Sequence, residues 1–115
     1  IRRPPRSTQG VSSAASDVYK RQGLDRLAQY AERFGRDPKT IETIYRTHQF
    51  ELTNTPAGPD RLPFVGDPDQ IAGDIRRYQE MGVTTMIWDF LRQTEDFDSM
   101  LSLMEEFSTK VWPKV

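Results

Sequence analysis

A chain of 115 residues with 36% hydrophobic and 10% aromatic content holds at most one domain. It has no cysteine and one histidine, His48, which excludes disulfides and thiolate metal sites and argues against a zinc site or a Ser-His triad within the chain. Net charge is −1, and no apolar run approaches the roughly 20 residues of a membrane span; the expectation is a cytoplasmic protein with no membrane partner.

The charge is unevenly placed. Residues 1–22 carry five basic side chains (Arg2, Arg3, Arg6, Lys20, Arg21) against Asp17, leaving 11 basic and 16 acidic side chains in residues 23–115. A basic arm of this kind can bind nucleic acid. Here the arm lacks interleaved aromatics and the body is acidic, so no nucleic-acid partner is expected. Residues 1–22 contain Pro4-Pro5, a Ser/Ala-rich centre and no apolar periodicity. They resemble translated sequencing-adapter material fused to an unrelated reading frame; the other reading is a natural disordered tail. Either way residues 1–22 are expected to be disordered and are set apart from fold reasoning.

From residue 23 the pattern becomes regular. Leu24, Leu27, Ala28, Ala31 and Phe34 recur at spacings of three and four, a helix stripe that Gly35 ends. Asp37-Pro38 then starts a single turn, with Asp as cap and Pro first inside it. Thr43 to Leu52 is rich in β-branched and aromatic residues and predicts a strand. Strict alternation puts Ile44, Phe50 and Leu52 on one face with Arg46 and His48. Asn54 to Pro63 holds three prolines and a glycine and predicts a functional or disordered loop.

The clearest element follows. Asp67 caps a helix, Pro68 takes its first position, and Gln70 completes a capping box. Ile71, Ile75, Tyr78 and Met81 form its stripe, Gly73 is a position for close approach to a strand, and Gly82 is the stop. Val83 to Phe90 is almost continuously apolar, as expected of a strand buried on both faces of a parallel sheet. Phe97, Met100, Leu101, Met104, Phe107 and Val111 then build a final helix that Pro113 stops. Helix, strand, helix, strand, helix is an α/β order with parallel strands. Two strands and three helices are too few to close an eight-stranded barrel, so the chain is expected to be part of a larger domain.

The run Phe64–Val83, then Met86–Phe90, then the helix ending at Phe107–Val115, resembles the C-terminal end of the luciferase-like monooxygenase family. Gly66, Pro68, Ile71, Gly82, Val83 and Pro113 stand where that family carries its glycine, proline and apolar markers, and Gly35-Arg36-Asp37-Pro38 matches the segment before its seventh strand. The likeness covers residues 23–115, and Arg61–Ile75 is closest to the deazaflavin-using branch. The resemblance implies a C-terminal fragment of a (β/α)8 barrel. It implies an oxidoreductase or monooxygenase that uses reduced deazaflavin or FMN on a small-molecule substrate, with the fragment inactive and binding no cofactor alone. A homo-oligomer of the full-length protein is compatible with it. The matched motifs are caps, turns and packing positions, not chemistry.

Active sites of such barrels lie at the carboxyl ends of the strands. The substrate-pocket candidates there are Arg46, His48, Phe50, Trp88, Asp89 and Phe90, each set against a simpler role. His48 is a hydrogen-bonding group or a satisfied structural histidine. Asp89 orients a ligand or caps a turn. Phe50, Trp88 and Phe90 line a cavity or pack on the final helix. Arg46 faces the barrel mouth or pairs with a buried acid. Gly66-Asp67-Pro68 precedes a helix N-terminus, but two aspartates there repel phosphate, so capping is expected and no cofactor-binding or catalytic residue is assigned. A small α/β interaction module without catalysis is the competing reading.

Overall fold

The computed structural model describes residues 13–115. In chain order these form α1 (Ser13–Arg33), β1 (Ile44–Arg46), β2 (Glu51–Leu52), β3 (Val65–Gly66), α2 (Pro68–Glu80), β4 (Thr85–Ile87) and α3 (Phe97–Lys110). The fold is mixed α/β. β1 pairs in parallel with β4, aligning Ile44 with Thr85, Tyr45 with Met86 and Arg46 with Ile87. β2 pairs in parallel with β3 as a second, two-residue ladder. No helix among the described residues is long and apolar enough to cross a membrane.

The single strand expected over Thr43–Leu52 is two strands on two partners. Tyr45 and Thr47 face the core, then Phe50 and Leu52 do, so the inward phase slips by one residue at His48–Gln49. Ile44, Arg46 and His48 consequently point outward while Phe50 is buried, which corrects the single face drawn from strict alternation. The second expected strand is also shorter: within Val83–Phe90 only Thr85–Ile87 joins the ladder. It is covered on one face, not two. Met86 and Trp88 pack into the core, while Ile87 is 48% exposed beside Ile44 at 57%.

α2 covers the inner face as its stripe requires. Ile71, Ala72, Ile75 and Tyr78 are buried and Met81 is half-buried. Its N-terminus carries the expected capping box. Asp67 accepts from the Gln70 N–H at 2.9 Å and Gln70 Oε1 accepts from the Asp67 N–H at 3.2 Å. The same Gln70 amide reaches back to bond the Ala57 N–H at 2.8 Å and the Ala57 carbonyl at 3.0 Å, so the long loop is pinned to the helix. A Cβ on Gly66, whose φ is +152°, would collide with that amide, which is why the position is glycine. Gly35 (φ +72°) and Gly82 (φ +101°) end α1 and α2 as expected. Gly73 makes no close approach: a Cβ there would meet only the tip of Arg76.

α3 divides its apolar residues between two directions. Phe107 and Val111 are buried and Leu103 is half-buried, whereas Phe97 (67%), Leu101 (46%) and Met104 (43%) face solvent. Its N-cap Asp96 accepts from the Ser99 N–H at 2.7 Å, and this bond holds the Asp96 carboxyl below its ordinary range. A carboxylate bound more tightly in the folded state adds stability above its unfolded value, and that stability is lost as pH falls through the folded one. Asp96→Asn is therefore expected to lower the melting temperature at pH 7, with the gap to the parent closing as pH drops below about 4. Thermal melts at pH 7 and pH 3 check this; an equal gap at both pH values would overturn it.

α1 starts ten residues before Gly23, so residues 13–22 are helical where a disordered leader was expected; residues 1–12 lie outside the described part. Ser13 to Gln22 contains no proline or glycine, so nothing in its backbone breaks the helix upstream of Gly23. Of the expected α1 stripe, Ala31 is buried and Leu24 and Ala28 are half-buried, but Leu27 and Phe34 are exposed. α1 is tied to the body largely by polar contacts. Lys20 lies over the rings of Tyr45 and Tyr78 and donates to both hydroxyls. Burial, with Tyr45 alongside, holds the Tyr78 phenol protonated well above the ordinary tyrosine range.

Candidate functional site

Two groupings gather the polar and aromatic residues that matter, and they lie at different depths. The first is at the carboxyl ends of β1 and β4. The Thr47 N–H donates to the Ile87 carbonyl at 2.9 Å and its hydroxyl donates to the same oxygen at 3.2 Å. The Asp89 N–H approaches the Thr47 hydroxyl at 3.4 Å. Thr47, 1% exposed, therefore locks the two strand ends together just beyond the ladder. A β-branched residue with a hydroxyl suits that position, since it packs as a strand residue and satisfies a buried carbonyl.

This lock brings Arg46 and Asp89 onto the same outer face. Arg46 Nη2 lies 2.8 Å from Asp89 Oδ2, and Arg92 Nε lies 3.8 Å from that oxygen. Arg92 also reaches the His48 carbonyl at 3.5 Å. The Asp89 side chain is 13% exposed, while Arg46 and Arg92 are 60% and 66% exposed. Of the two roles open to Arg46, the structure gives the ion pair with a largely covered acid. Asp89 does not cap the turn at Leu91–Gln93, whose cap position Phe90 has no side-chain bond; its carboxylate is held by the arginines. His48 is exposed, and its imidazole makes no hydrogen bond among the described residues, so it is not the satisfied structural histidine expected. It lines a hollow of about 230 Å³ with Gln49, Leu62, Pro63 and Phe64.

The second grouping is an aromatic cluster beneath the first. Phe50 meets Trp88 and Phe90 edge-on with ring centres 5.3 Å apart in each case, and Phe107 of α3 at 5.7 Å. Trp88 lies 4.7 Å from Phe107. Edge-to-face contact of this kind places the positive ring edge on the negative face of its neighbour. Phe50, Trp88 and Phe90 thus take the packing role on the final helix. Arg46, His48 and Asp89 stay at the rim. The six candidates are neighbours along the strand ends but divide into an aromatic set packed on the core and a polar rim, in which Arg46 and His48 are exposed and Asp89 is largely covered.

Sequence reasoning missed the most heavily bonded acid. Asp74 is 1% exposed on α2 and takes a two-pronged bond from Arg61, at 2.6 and 3.0 Å. It also accepts the Phe64 N–H at 2.8 Å and a bond from Arg77. Hydrogen bonding to Asp74 raises the Arg61 guanidinium above its already high range. Phe64 has φ +65°, a left-handed conformation costly for an aromatic residue, and it is 1% exposed. The carboxylate of Asp74 fixes that strained backbone and closes the loop onto α2. A signal existed: Asp74 falls three residues after Ile71 and one before Ile75, inside the apolar stripe, where an unpaired charge is not tolerated. Its partner Arg61, 13 residues upstream, is not deducible from helix periodicity.

Among the described residues no cluster of histidine or acid side chains could hold a metal ion. Compared with protein-family models, with characterised proteins and with solved structures, the chain matches none.

Proposed function

We propose that residues 23–115 are the C-terminal βα steps of a (β/α)8 barrel of the luciferase-like monooxygenase family. The parent is an oxidoreductase that uses reduced FMN or deazaflavin on a small-molecule substrate. The observation that carries this reading is the one-sided sheet. Two parallel strands joined through α2 are covered by α2 and α3 on one face, while the other exposes Ile44 and Ile87, with Arg46 and Asp89 at its carboxyl end. In a barrel that second face is the interior, filled by side chains from the other strands, and the carboxyl end is the mouth. The motif resemblance over residues 23–115 points the same way.

The residues present do not fit the cofactor's phosphate. The α2 N-terminus is taken by the Asp67 carboxylate, with Asp69 in its first turn, and two negative charges repel a phosphate there. The cofactor is accordingly assigned to strands supplied by the rest of the parent, and no residue here is given a step in its chemistry.

The test is the genomic DNA upstream of the codon for Gly23, read independently of the stretch that encodes residues 1–22. We expect about 150–200 further residues with βα periodicity, the remainder of a barrel of about 250. The longer protein is expected to bind FMN or deazaflavin, detected by absorbance after gel filtration, while the 115-residue chain binds neither. Flavin binding or substrate oxidation by the 115-residue chain alone would overturn the assignment. A second reading, an interaction module, draws on the exposed stripe Phe97, Leu101 and Met104 on α3. It gains if the 115-residue chain melts cooperatively as a stable monomer and the upstream frame encodes no further βα units.

A further inference from the structure

We infer that Arg46 and Arg92, poised on Asp89, form a binding site for a singly charged carboxylate. The site deepens the reading of this strand end as a barrel mouth and rests on it for one point: that the carboxylate belongs to the substrate.

The argument begins with charge. Two guanidiniums share one carboxylate, and among the described residues neither arginine has another acidic partner within ion-pair distance. The trio keeps one net positive charge. Asp89 is mostly covered while both arginines are more than half exposed, so the surplus positive charge faces solvent. Donor supply agrees. Each guanidinium has five N–H donors in a planar fork. Arg46 spends one on Asp89, and Arg92 makes one long contact to the His48 carbonyl. The remaining donors are left for an oxyanion, which a planar guanidinium binds in two-pronged fashion.

Position restricts the ligand further. Arg46 ends β1, Thr47 holds that end to β4, and the Asp89 N–H approaches the Thr47 hydroxyl, so the Arg46–Asp89 pair stands directly beside the ladder; Arg92 joins it from the turn Leu91–Gln93. Ligands of parallel sheets bind outside the carboxyl ends of the strands, where this trio sits. The fixed Asp89 selects among anions. One net positive charge is balanced by a carboxylate monoanion, whereas a phosphate dianion would be over-charged and repelled by Asp89 at short range.

Arginine-selective modification by phenylglyoxal, followed for each arginine by peptide mass spectrometry on the 115-residue chain at constant ionic strength, tests this. Acetate is expected to protect Arg46 and Arg92 along a saturating curve, with chloride giving none. Arg26 and Arg33, exposed on α1, serve as controls whose rates stay unchanged. Inorganic phosphate is expected to protect Arg46 and Arg92 less well than acetate. Arg46→Gln should weaken acetate protection of Arg92 roughly three- to tenfold, the loss of one charge-assisted bond at a partly exposed site. Asp89→Asn removes the selecting charge and is expected to reverse the order, with phosphate protecting better than acetate. Equal protection of all arginines, no protection, or an anion order unchanged by Asp89→Asn would overturn the site. The two proposals fail separately. Protection with no cofactor binding by the longer protein removes only the family assignment. Cofactor binding without protection removes only the carboxylate site.

Discussion

Asp74→Ala is expected to destabilise the longer parent protein by about 3–5 kcal/mol. The substitution strands the Arg61 guanidinium and leaves the buried Phe64 N–H without its acceptor. Breaking a buried ion pair by removing one partner costs about 3–5 kcal/mol, against about 5–15 kcal/mol for the whole stability of a domain. The strain at Phe64 adds to the loss, because its left-handed backbone persists only while neighbouring bonds hold it. Asp74→Asn separates the terms. It keeps an oxygen for the Phe64 N–H and discards the charge that binds Arg61, so an intermediate cost is expected. Urea unfolding followed by tryptophan fluorescence gives both values. A cost under about 1 kcal/mol for Asp74→Ala would mean that the carboxylate is solvated and the loop is held by Gln70 alone.

The second large effect is at Phe50. The ring is 2% exposed and touches Trp88, Phe90 and Phe107. Phe50→Ala is expected to cost about 3–5 kcal/mol, the lost burial plus the cavity left behind. Phe50→Leu keeps most of the volume and should cost roughly 1–1.5 kcal/mol. Trp88 reports the change directly: water reaching its indole shifts its emission to the red. The pair also decides a functional question. If Phe50 is a packing residue, the longer parent protein carrying Phe50→Leu keeps its KM and loses melting temperature. A changed KM would overturn the packing role and place the ring in the substrate cavity.

The residues explain how far the sequence could be read. The cap, apolar stripe and stop of α2 were legible, though Asp74 and Gly73 within it were not. Asp67, Pro68, Gln70, the Ile71–Ile75–Tyr78 stripe and Gly82 are local signals, each acting within one or two helical turns. Capping, propensity and helix phase depend on neighbours in sequence, so a linear reading finds them. The region Thr43–Leu52 was misread because strand phase is global. A slip of one residue at His48–Gln49 exchanges inside for outside, and what fixes it is the partner: β4 for one half and β3 for the other. α3 shows the same limit. Its apolar residues were correctly placed on a helix, but which of them the core would take depended on where Phe50 and Trp88 stood.

The candidate site divides along the same line. Arg46, His48 and Asp89 were placed at the strand ends because carboxyl ends of parallel strands can be located from element order. Their pairing was not found, nor the part played by Arg92, since a contact spanning 43 residues leaves no periodic trace. Composition and local pattern alone gave the three helices with their stops, the α2 cap and the exclusion of cysteine chemistry, because these follow from residue type and short-range geometry; the three short strands between α1 and α2 they did not give. Three-dimensional packing alone chose which face of the sheet stays open and buried Asp74 against Arg61. It also sent Phe50, Trp88 and Phe90 inward while leaving Arg46 and Arg92 outside. Burial and ion pairing are settled between segments distant in the chain, and the energy of such contacts exists only once those segments meet.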